Sequence, residues 1–185
     1  KPKNHKGGYP AHIGEQQLEW LEKQLKTLKG PILVISHQPL AGTSGIDNAG
    51  EVQKLLNSAA DKVLLAVNGH THVDHVARVG KLSYLHVNSA SYKWVGGPHR
   101  HKSYPPEVHS KFRSIEYTCP YRDSLFATLT IDPAKGRIEL NGRESQWVGK
   151  SPSQLEIPTK HGLTNGKEIC PMIRNRRLEA AGRTQ

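Results

Sequence analysis

Apolar side chains recur at helical spacing early in the chain and predict an amphipathic helix from Gly14. The stripe consists of leucines three and four residues apart, namely Leu18, Leu21, Leu25 and Leu28. Gly30-Pro31 is a helix-ending pair, and the continuous apolar run Ile32-Leu33-Val34-Ile35 follows it. A short run without polar alternation predicts a strand that is buried on both faces.

The same order of elements then repeats. Asn48 is a candidate N-cap for a second helix, which carries Val52, Leu55 and Leu56. The next apolar run, Val63-Leu64-Leu65-Ala66-Val67, predicts a second buried strand. Strand, helix and strand in this order form a βαβ unit, so we expect the two strands to be parallel.

Beyond this unit the pattern changes to hairpins. Residues 73–79 and 82–87 flank Gly80-Lys81, and their apolar positions suit a pair of strands joined by a tight turn. Residues 125–131 and 137–140 flank a turn-forming segment in the same way. The sequence therefore predicts two β-hairpins after the βαβ unit.

Two further segments have little regular pattern. Residues 93–122 are rich in Pro, His and Lys and predict a long surface loop, a feature that is usually functional or disordered. From about residue 151 the chain is polar and basic with little core material. We therefore predict a folded part over residues 1–150 and a polar basic tail over residues 151–185.

The charge balance changes the picture only slightly. The 185 residues include 26 Lys and Arg against 16 Asp and Glu, a formal net charge of +10. A basic surface is required for binding nucleic acid, but aromatic residues make up only 6%, too few for a base-stacking surface. Nucleic acid is therefore not the expected partner. No apolar run approaches the ~20 residues of a membrane-spanning helix, so no membrane span is expected.

The first residues suggest a chain that continues upstream. Lys1 to Lys6 contain no initiator Met, and no apolar segment of the kind found in secretion signals follows them. We therefore expect a missing N-terminal segment. Cytoplasmic location and export both stay open, because the residues that distinguish them would lie in that segment.

Histidines follow both predicted strands at the point where each ends. Ser36-His37-Gln38-Pro39 comes after the first strand, and Asn68-Gly69-His70-Thr71-His72 comes after the second. Ligands of open α/β sheets bind at the carboxyl ends of the strands, and neutral imidazole is the commonest metal ligand near physiological pH. Either motif alone is more often a surface accident. Together, at matched strand ends, they predict a metal site.

These two loops resemble the last two metal-binding motifs of the calcineurin-like metallophosphoesterases. Three further segments add to the likeness: His86-Val87-Asn88-Ser89-Ala90-Ser91-Tyr92, Trp94-Val95-Gly96-Gly97 and Pro120-Tyr121-Arg122-Asp123-Ser124-Leu125-Phe126. The resemblance runs from about residue 14 to residue 149. Within the superfamily it is greatest to a bacterial branch close to the class III phosphodiesterases.

The resemblance implies an α/β fold, a four-layer α/β/β/α sandwich of which residues 1–150 would form the C-terminal part. It also implies two metal ions, which are Fe, Mn, Zn, Co or Ni in different members of the family. Carried over by position, His37 and His70 would bind one ion and His72 the other. The implied reaction is hydrolysis of a phosphate mono- or diester, with a hydroxide between the ions attacking phosphorus.

The chain departs from the family pattern in its acidic motifs. The Asp-x-His, Gly-Asp and Gly-Asn-His motifs are absent, and Asn4-His5 lacks the flanking glycine and acid. Three neutral imidazoles hold one metal weakly and do not make a charged dinuclear cluster, so no catalytic residue is assigned and the chain alone is expected to be inactive. It is either the C-terminal half of a phosphoesterase or a non-catalytic, partner-binding fragment that needs a complementary chain.

Three further side chains are candidate contacts for a phosphate-ester substrate: His75, Asn88 and Tyr92. His75 also suits an ordinary hairpin position. Asn88 and Tyr92 follow a predicted strand, and local hydrogen bonds that cap a loop explain them equally well. The histidines and basic residues of 99–113 suit either an electropositive rim for an anionic substrate or a solvated loop.

Overall fold

The computed structural model describes residues 11–159 and 162–181. The first six residues, with Asn4-His5, and the end of the predicted tail lie outside the described residues. Within those ranges the helices and strands are, in chain order, α1 (Glu15–Thr27), β1 (Ile32–Ser36), α2 (Ala49–Ser58), β2 (Val63–Asn68), β3 (His75–Val79), β4 (Leu82–His86), β5 (Tyr92–Trp94), α3 (Pro106–Lys111), β6 (Thr118–Pro120), β7 (Thr128–Asp132), β8 (Arg137–Asn141) and β9 (Arg176–Glu179).

Four strands form one sheet in the order β1-β2-β4-β3. β1 and β4 both pair with β2 in parallel, and β3 pairs with β4 in antiparallel orientation. The predicted βαβ unit and the first predicted hairpin are therefore confirmed. The register aligns Ser36, Asn68 and His86, so the parallel strands β1, β2 and β4 end together at one edge of the sheet.

Helices α1 and α2 pack on one face of this sheet. Their contact forms a buried cluster that includes Leu25 of α1, Val52 and Leu56 of α2, Ala66 of β2 and Tyr84 of β4. Burying each large aliphatic side chain contributes about 1.5–3 kcal/mol. The apolar stripes of the two predicted helices therefore account for this side of the core.

Asn48 is the N-cap residue of α2, as predicted, but its side chain makes no capping hydrogen bond. Its Oδ1 accepts from the Ile13 backbone N–H at 3.0 Å, and its Nδ2 donates to the Ile13 carbonyl at 2.8 Å. Asn48 therefore ties the segment before α1 to the start of α2.

The second hairpin, β7–β8, packs on the opposite face of the four-stranded sheet. Ile138 and Leu140 of β8 are buried with Leu65 of β2 and Leu85 of β4. β9 pairs with β8 and completes a three-stranded sheet in the order β7-β8-β9. The described layers are therefore helices, sheet and second sheet, which is a mixed α/β fold.

Residues beyond 151 contribute to this core, which the polar pattern did not predict. Ile169, Cys170 and Ile173 are buried there. The sequence of β9 is Arg-Arg-Leu-Glu, and its exposure alternates along the strand. A four-residue strand with one apolar side chain is too short to give a periodic signal.

The prediction that the first strand is buried on both faces was wrong. Ile32 and Val34 of β1 pack against the helix layer, whereas Leu33 is 38% and Ile35 is 74% exposed. β1 is an edge strand of its sheet, and the described residues leave its second face largely open. An apolar run shows that a strand is hydrophobic, but it does not show whether one or both of its faces are covered.

Residues 93–122 do not form one long loop, as the sequence predicted. They contain the end of β5, α3, β6 and two 3₁₀ turns, Gly97–His99 and Arg113–Tyr117. β5 and β6 pair in antiparallel orientation, with Lys93 opposite Cys119. Each of these elements is three to six residues long, which is too short to show a helical or strand period.

The helices are short relative to a lipid bilayer. The longest one described, α1, has 13 residues and spans about 20 Å, against a hydrocarbon thickness of about 30 Å. In the parts of the chain that the structure describes, no helix has the length and apolar character needed to cross a membrane.

Candidate metal site

His37 and His70 lie side by side at the edge where β1 and β2 end. Nε2 of His37 is 3.1 Å from Nδ1 of His70, and the two rings meet edge to face with centroids 5.0 Å apart. The Gly69 backbone N–H donates to the His37 carbonyl at 3.2 Å, which joins the two loops. The structure therefore brings together two of the three predicted metal ligands.

The loop that carries His70 and His72 has an unusual backbone. His70 has φ +66° and His72 has φ +50°, a left-handed conformation that is uncommon for residues other than glycine. Such a conformation costs about 1–3 kcal/mol per residue and persists where surrounding contacts enforce it. The left-handed positions of this loop are therefore the two histidines themselves and not the neighbouring Gly69.

Two side chains from neighbouring strands contact this loop, the partly buried Lys93 and the buried His86. Nζ of Lys93, on β5, donates to the Thr71 carbonyl at 2.7 Å. Nδ1 of His86, at the end of β4, is 3.2 Å from Nδ2 of Asn68 and 3.4 Å from Oγ1 of Thr71. Neither residue was predicted to belong to the site, although the position of His86 at the end of a third parallel strand was an available signal.

Burial favours the neutral form of the His70 and His72 imidazoles. Burial, followed by the nearby Lys93 ammonium, lowers the pKa of His72 to about 4. The pKa of His70 is lowered by burial and then by His37. Burial also lowers the pKa of Lys93, to about 8, so this lysine is largely protonated at pH 7. Neutral imidazole has the lone pair that a metal ion needs.

The three predicted substrate contacts lie in different surroundings. The Tyr92 ring meets the His72 ring edge to face at 5.0 Å, so Tyr92 lies at the site. The His75 ring faces the buried His86 ring at 5.4 Å. Asn88 is 5% exposed, and hydrogen bonds within the protein occupy its amide.

The hydrogen bonds of Asn88 hold the segment after β4 against the end of the chain. Its Nδ2 donates to the carbonyls of Cys170 and Met172 at 2.8 and 3.1 Å. Its Oδ1 accepts from the Tyr121 hydroxyl at 3.0 Å and from the Ser89 N–H at 2.8 Å. These four bonds use the amide's two donors and two lone pairs, and they give Asn88 a structural role.

Asp74 makes a second buried connection next to the histidine loop. Its side chain is 0% exposed and accepts from the guanidinium groups of Arg174 and Arg176 at distances from 2.5 to 2.8 Å. The Asp74 backbone N–H also donates to the Glu168 carbonyl at 2.9 Å. The sequence showed an acidic residue two positions after His72, but nothing in the pattern linked it to arginines a hundred residues away.

The donor set fits part of a metal centre. Two nitrogens bound to one ion at 2.0–2.1 Å stand about 2.8–3.4 Å apart, a range that includes the 3.1 Å between His37 and His70. Nδ1 of His72 is buried without a hydrogen-bond partner among the described residues. Over residues 11–159 and 162–181, however, no group of three or more His, Cys, Asp or Glu side chains could hold a metal ion.

The sequence was compared with protein-family models and with curated proteins. No family model matches it, and no curated protein matches it significantly. The geometry of His37, His70 and His72 is therefore the feature of this chain that suggests a metal site.

Proposed function

We propose that this chain supplies the histidine part of a metal-dependent hydrolase of phosphate mono- or diesters and is inactive alone. Carboxylate ligands would come from a segment outside residues 11–159 and 162–181 or from a complementary chain. The observation that carries the proposal is the 3.1 Å approach of two imidazole nitrogens where parallel β1 and β2 end. In this proposal the described layers are three of the four in an α/β/β/α sandwich.

The histidines divide between two ions, each Fe, Mn, Zn, Co or Ni. His37 and His70 bind one ion through the facing nitrogens, and His72 binds the second. Bound metal ions supply Lewis acidity toward phosphoryl oxygens. The lowered pKa values of His70 and His72 support this role, because both imidazoles hold their lone pairs at neutral pH.

Two other residues would act on the substrate side. The Lys93 ammonium lies beside His72 and donates to the Thr71 carbonyl. Its positive charge in a partly buried position favours an anionic phosphoryl group. The Tyr92 ring, in contact with His72, restricts the space available to that group.

Metal binding tests the first half of the proposal. Titration calorimetry with Mn²⁺, Zn²⁺ and Ni²⁺ should show binding that His37→Ala and His70→Ala each weaken at least tenfold. His99→Ala, in the 3₁₀ turn after β5, is the matched control and should bind like the unmodified chain. Equal metal affinity in the unmodified chain and all three variants would contradict a metal site at His37 and His70.

Activity tests the second half. The chain and a version extended by the upstream codons of its gene are assayed with bis-p-nitrophenyl phosphate and Mn²⁺. We expect activity only in the extended protein, and we expect His70→Ala to abolish it. An extended protein that binds metal and stays inactive, or that remains active with His70→Ala, contradicts the proposed hydrolase.

A second candidate function is that of a partner-binding fragment without catalysis. The exposed Ile35 and Leu33 of edge strand β1 favour it, because such a strand can pair with another chain. The partner would be an acidic strand, which suits the net charge of +10. Sedimentation of the chain with and without acidic β-strand peptides tests this: a monomer that binds none of them, and that melts cooperatively, counts against it.

A further inference from the structure

We propose that His86 is a positioning residue that holds the loop bearing His70 and His72 in its metal-binding conformation. The inference rests on the proposed metal site. His86 is 0% exposed and therefore does not reach a ligand from solvent itself. It would act through the loop that it contacts.

The contacts of His86 lie on both sides of the left-handed position at His70. Asn68, two residues before His70, donates from Nδ2 to Nδ1 of His86 at 3.2 Å, and Thr71, directly after His70, places Oγ1 3.4 Å from the same nitrogen. Because an amide nitrogen only donates, Nδ1 is the acceptor and Nε2 carries the ring proton. Nδ1 of His86 therefore contacts residues on both sides of the left-handed position at His70.

The other side of the ring contacts the loop that follows His37. A Cβ at Gly42 would stand 3.0 Å from Nε2 of His86, and Gly42 has φ +80°. The backbone of that loop therefore lies directly on the imidazole. His86 is in contact with both ligand-bearing loops, and its size sets how far apart they are held.

Such support matters because His70 and His72 adopt an unfavourable backbone. Without the contact at Nδ1, the segment can relax toward ordinary φ values and move the His70 ring away from His37. Replacing a residue that contacts and orients a metal ligand typically lowers metal affinity by about 10–100-fold. We expect His86 to belong to this class.

Two substitutions separate positioning from packing. His86→Leu has a similar volume but no acceptor, whereas His86→Asn keeps an acceptor oxygen near the position of Nδ1 and leaves a cavity. Affinity for Zn²⁺ and Ni²⁺ should fall at least tenfold in His86→Leu and stay within threefold in His86→Asn. The melting temperature should fall more in His86→Asn, which leaves a cavity, than in His86→Leu. In His86→Leu the Gly69 carbonyl remains as a second acceptor for Asn68 and Thr71. A purely structural His86 would make affinity follow melting temperature in both variants.

A readout without metal separates this inference from the proposed function. Long-range ¹H–¹⁵N spectra report the ring nitrogens of His37 and His70 in the metal-free protein. His86→Leu should shift these signals and His86→Asn should not. If the unmodified chain binds no metal while this pattern is seen, the proposed function fails and the positioning role stands. Unchanged spectra in His86→Leu overturn the positioning role, and Thr71→Val, which removes only the hydroxyl, repeats the test if that variant does not fold.

Discussion

Burial in the folded protein stabilises the neutral form of individual imidazoles. Burial lowers the pKa of both His72 and His86 to about 4. For His72 this leaves a lone pair for a cation at neutral pH, and for His86 it leaves an acceptor for the Asn68 amide. The same property makes the folded state sensitive to acid, because the unfolded chain takes up protons that the folded chain excludes.

The acid sensitivity can be assigned to His86 by comparing it with His86→Leu. Between about pH 6.5 and pH 4 the unfolded histidine binds a proton and the folded one does not, so stability rises with pH by at most about 1.4 kcal/mol per unit. Above pH 6.5 this contribution is constant. Between pH 7 and pH 5, the free energy of unfolding measured with urea should therefore fall by about 2 kcal/mol more in the unmodified chain than in His86→Leu. His75 is the titratable group that faces His86 among the described residues, and equal losses would contradict the assignment.

Asn88 allows a second test at this scale. Asn88→Leu removes four hydrogen bonds and leaves the Tyr121 hydroxyl and three backbone groups to be satisfied elsewhere, so we expect a loss of about 2–4 kcal/mol. Asn175→Ala, at an exposed residue whose side chain accepts one bond from Gly142, should cost about 1 kcal/mol or less. Chemical unfolding of both variants measures the difference, and near-equal values would remove the structural role given to Asn88.

Strand β1 carries two roles at the scale of an element. Its end positions His37 beside His70, while its open face exposes Leu33 and Ile35. A short apolar run predicted the strand and its parallel partner correctly, but the number of layers over it depends on residues far away in the chain. The histidine motifs likewise predicted that His37 and His70 lie close together, whereas the contacts of His86 and Lys93 with this loop did not follow from their sequence positions.

The open face of β1 predicts unequal costs for similar substitutions. Ile35→Ala should cost under about 1 kcal/mol because Ile35 is 74% exposed, whereas Leu65→Ala, at 0% exposure on the neighbouring strand, should cost about 2–5 kcal/mol. Thermal unfolding measures both. Ile35→Lys should also reduce concentration-dependent association in sedimentation experiments. Equal destabilisation by the two alanine substitutions would show that the face of β1 is covered.

At the scale of the molecule, the buried carboxylate of Asp74 joins the histidine loop to the segment that enters β9. Arg174 and Arg176 both donate to it, and the segment between residues 168 and 173 adds buried apolar side chains. The two sheets are thereby held by ion pairs as well as by the apolar layer between them. No local pattern could predict this connection, since its partners are separated by 100 and 102 residues.

Breaking this connection should cost far more than breaking an ion pair at the surface. Arg176→Met leaves the fully buried Asp74 with one guanidinium, and we expect a loss of about 2–3 kcal/mol that salt changes little. Lys26→Met removes the exposed pair with Glu22 and should cost about 0.5 kcal/mol or less. Unfolding by urea at low and high salt measures both losses. A small, salt-dependent effect of Arg176→Met would contradict the buried pairing.

The distance along the chain between Asp74 and its arginines has a consequence for synthesis. A ribosome that adds about 5–20 residues per second exposes Asp74 roughly 5–20 s before Arg174 and Arg176 follow it. Burying the carboxylate alone would cost several kcal/mol, so the nascent chain keeps Asp74 in water during that interval. The helices and the βαβ unit can form early, but the histidine loop closes only once β9 has left the exit tunnel.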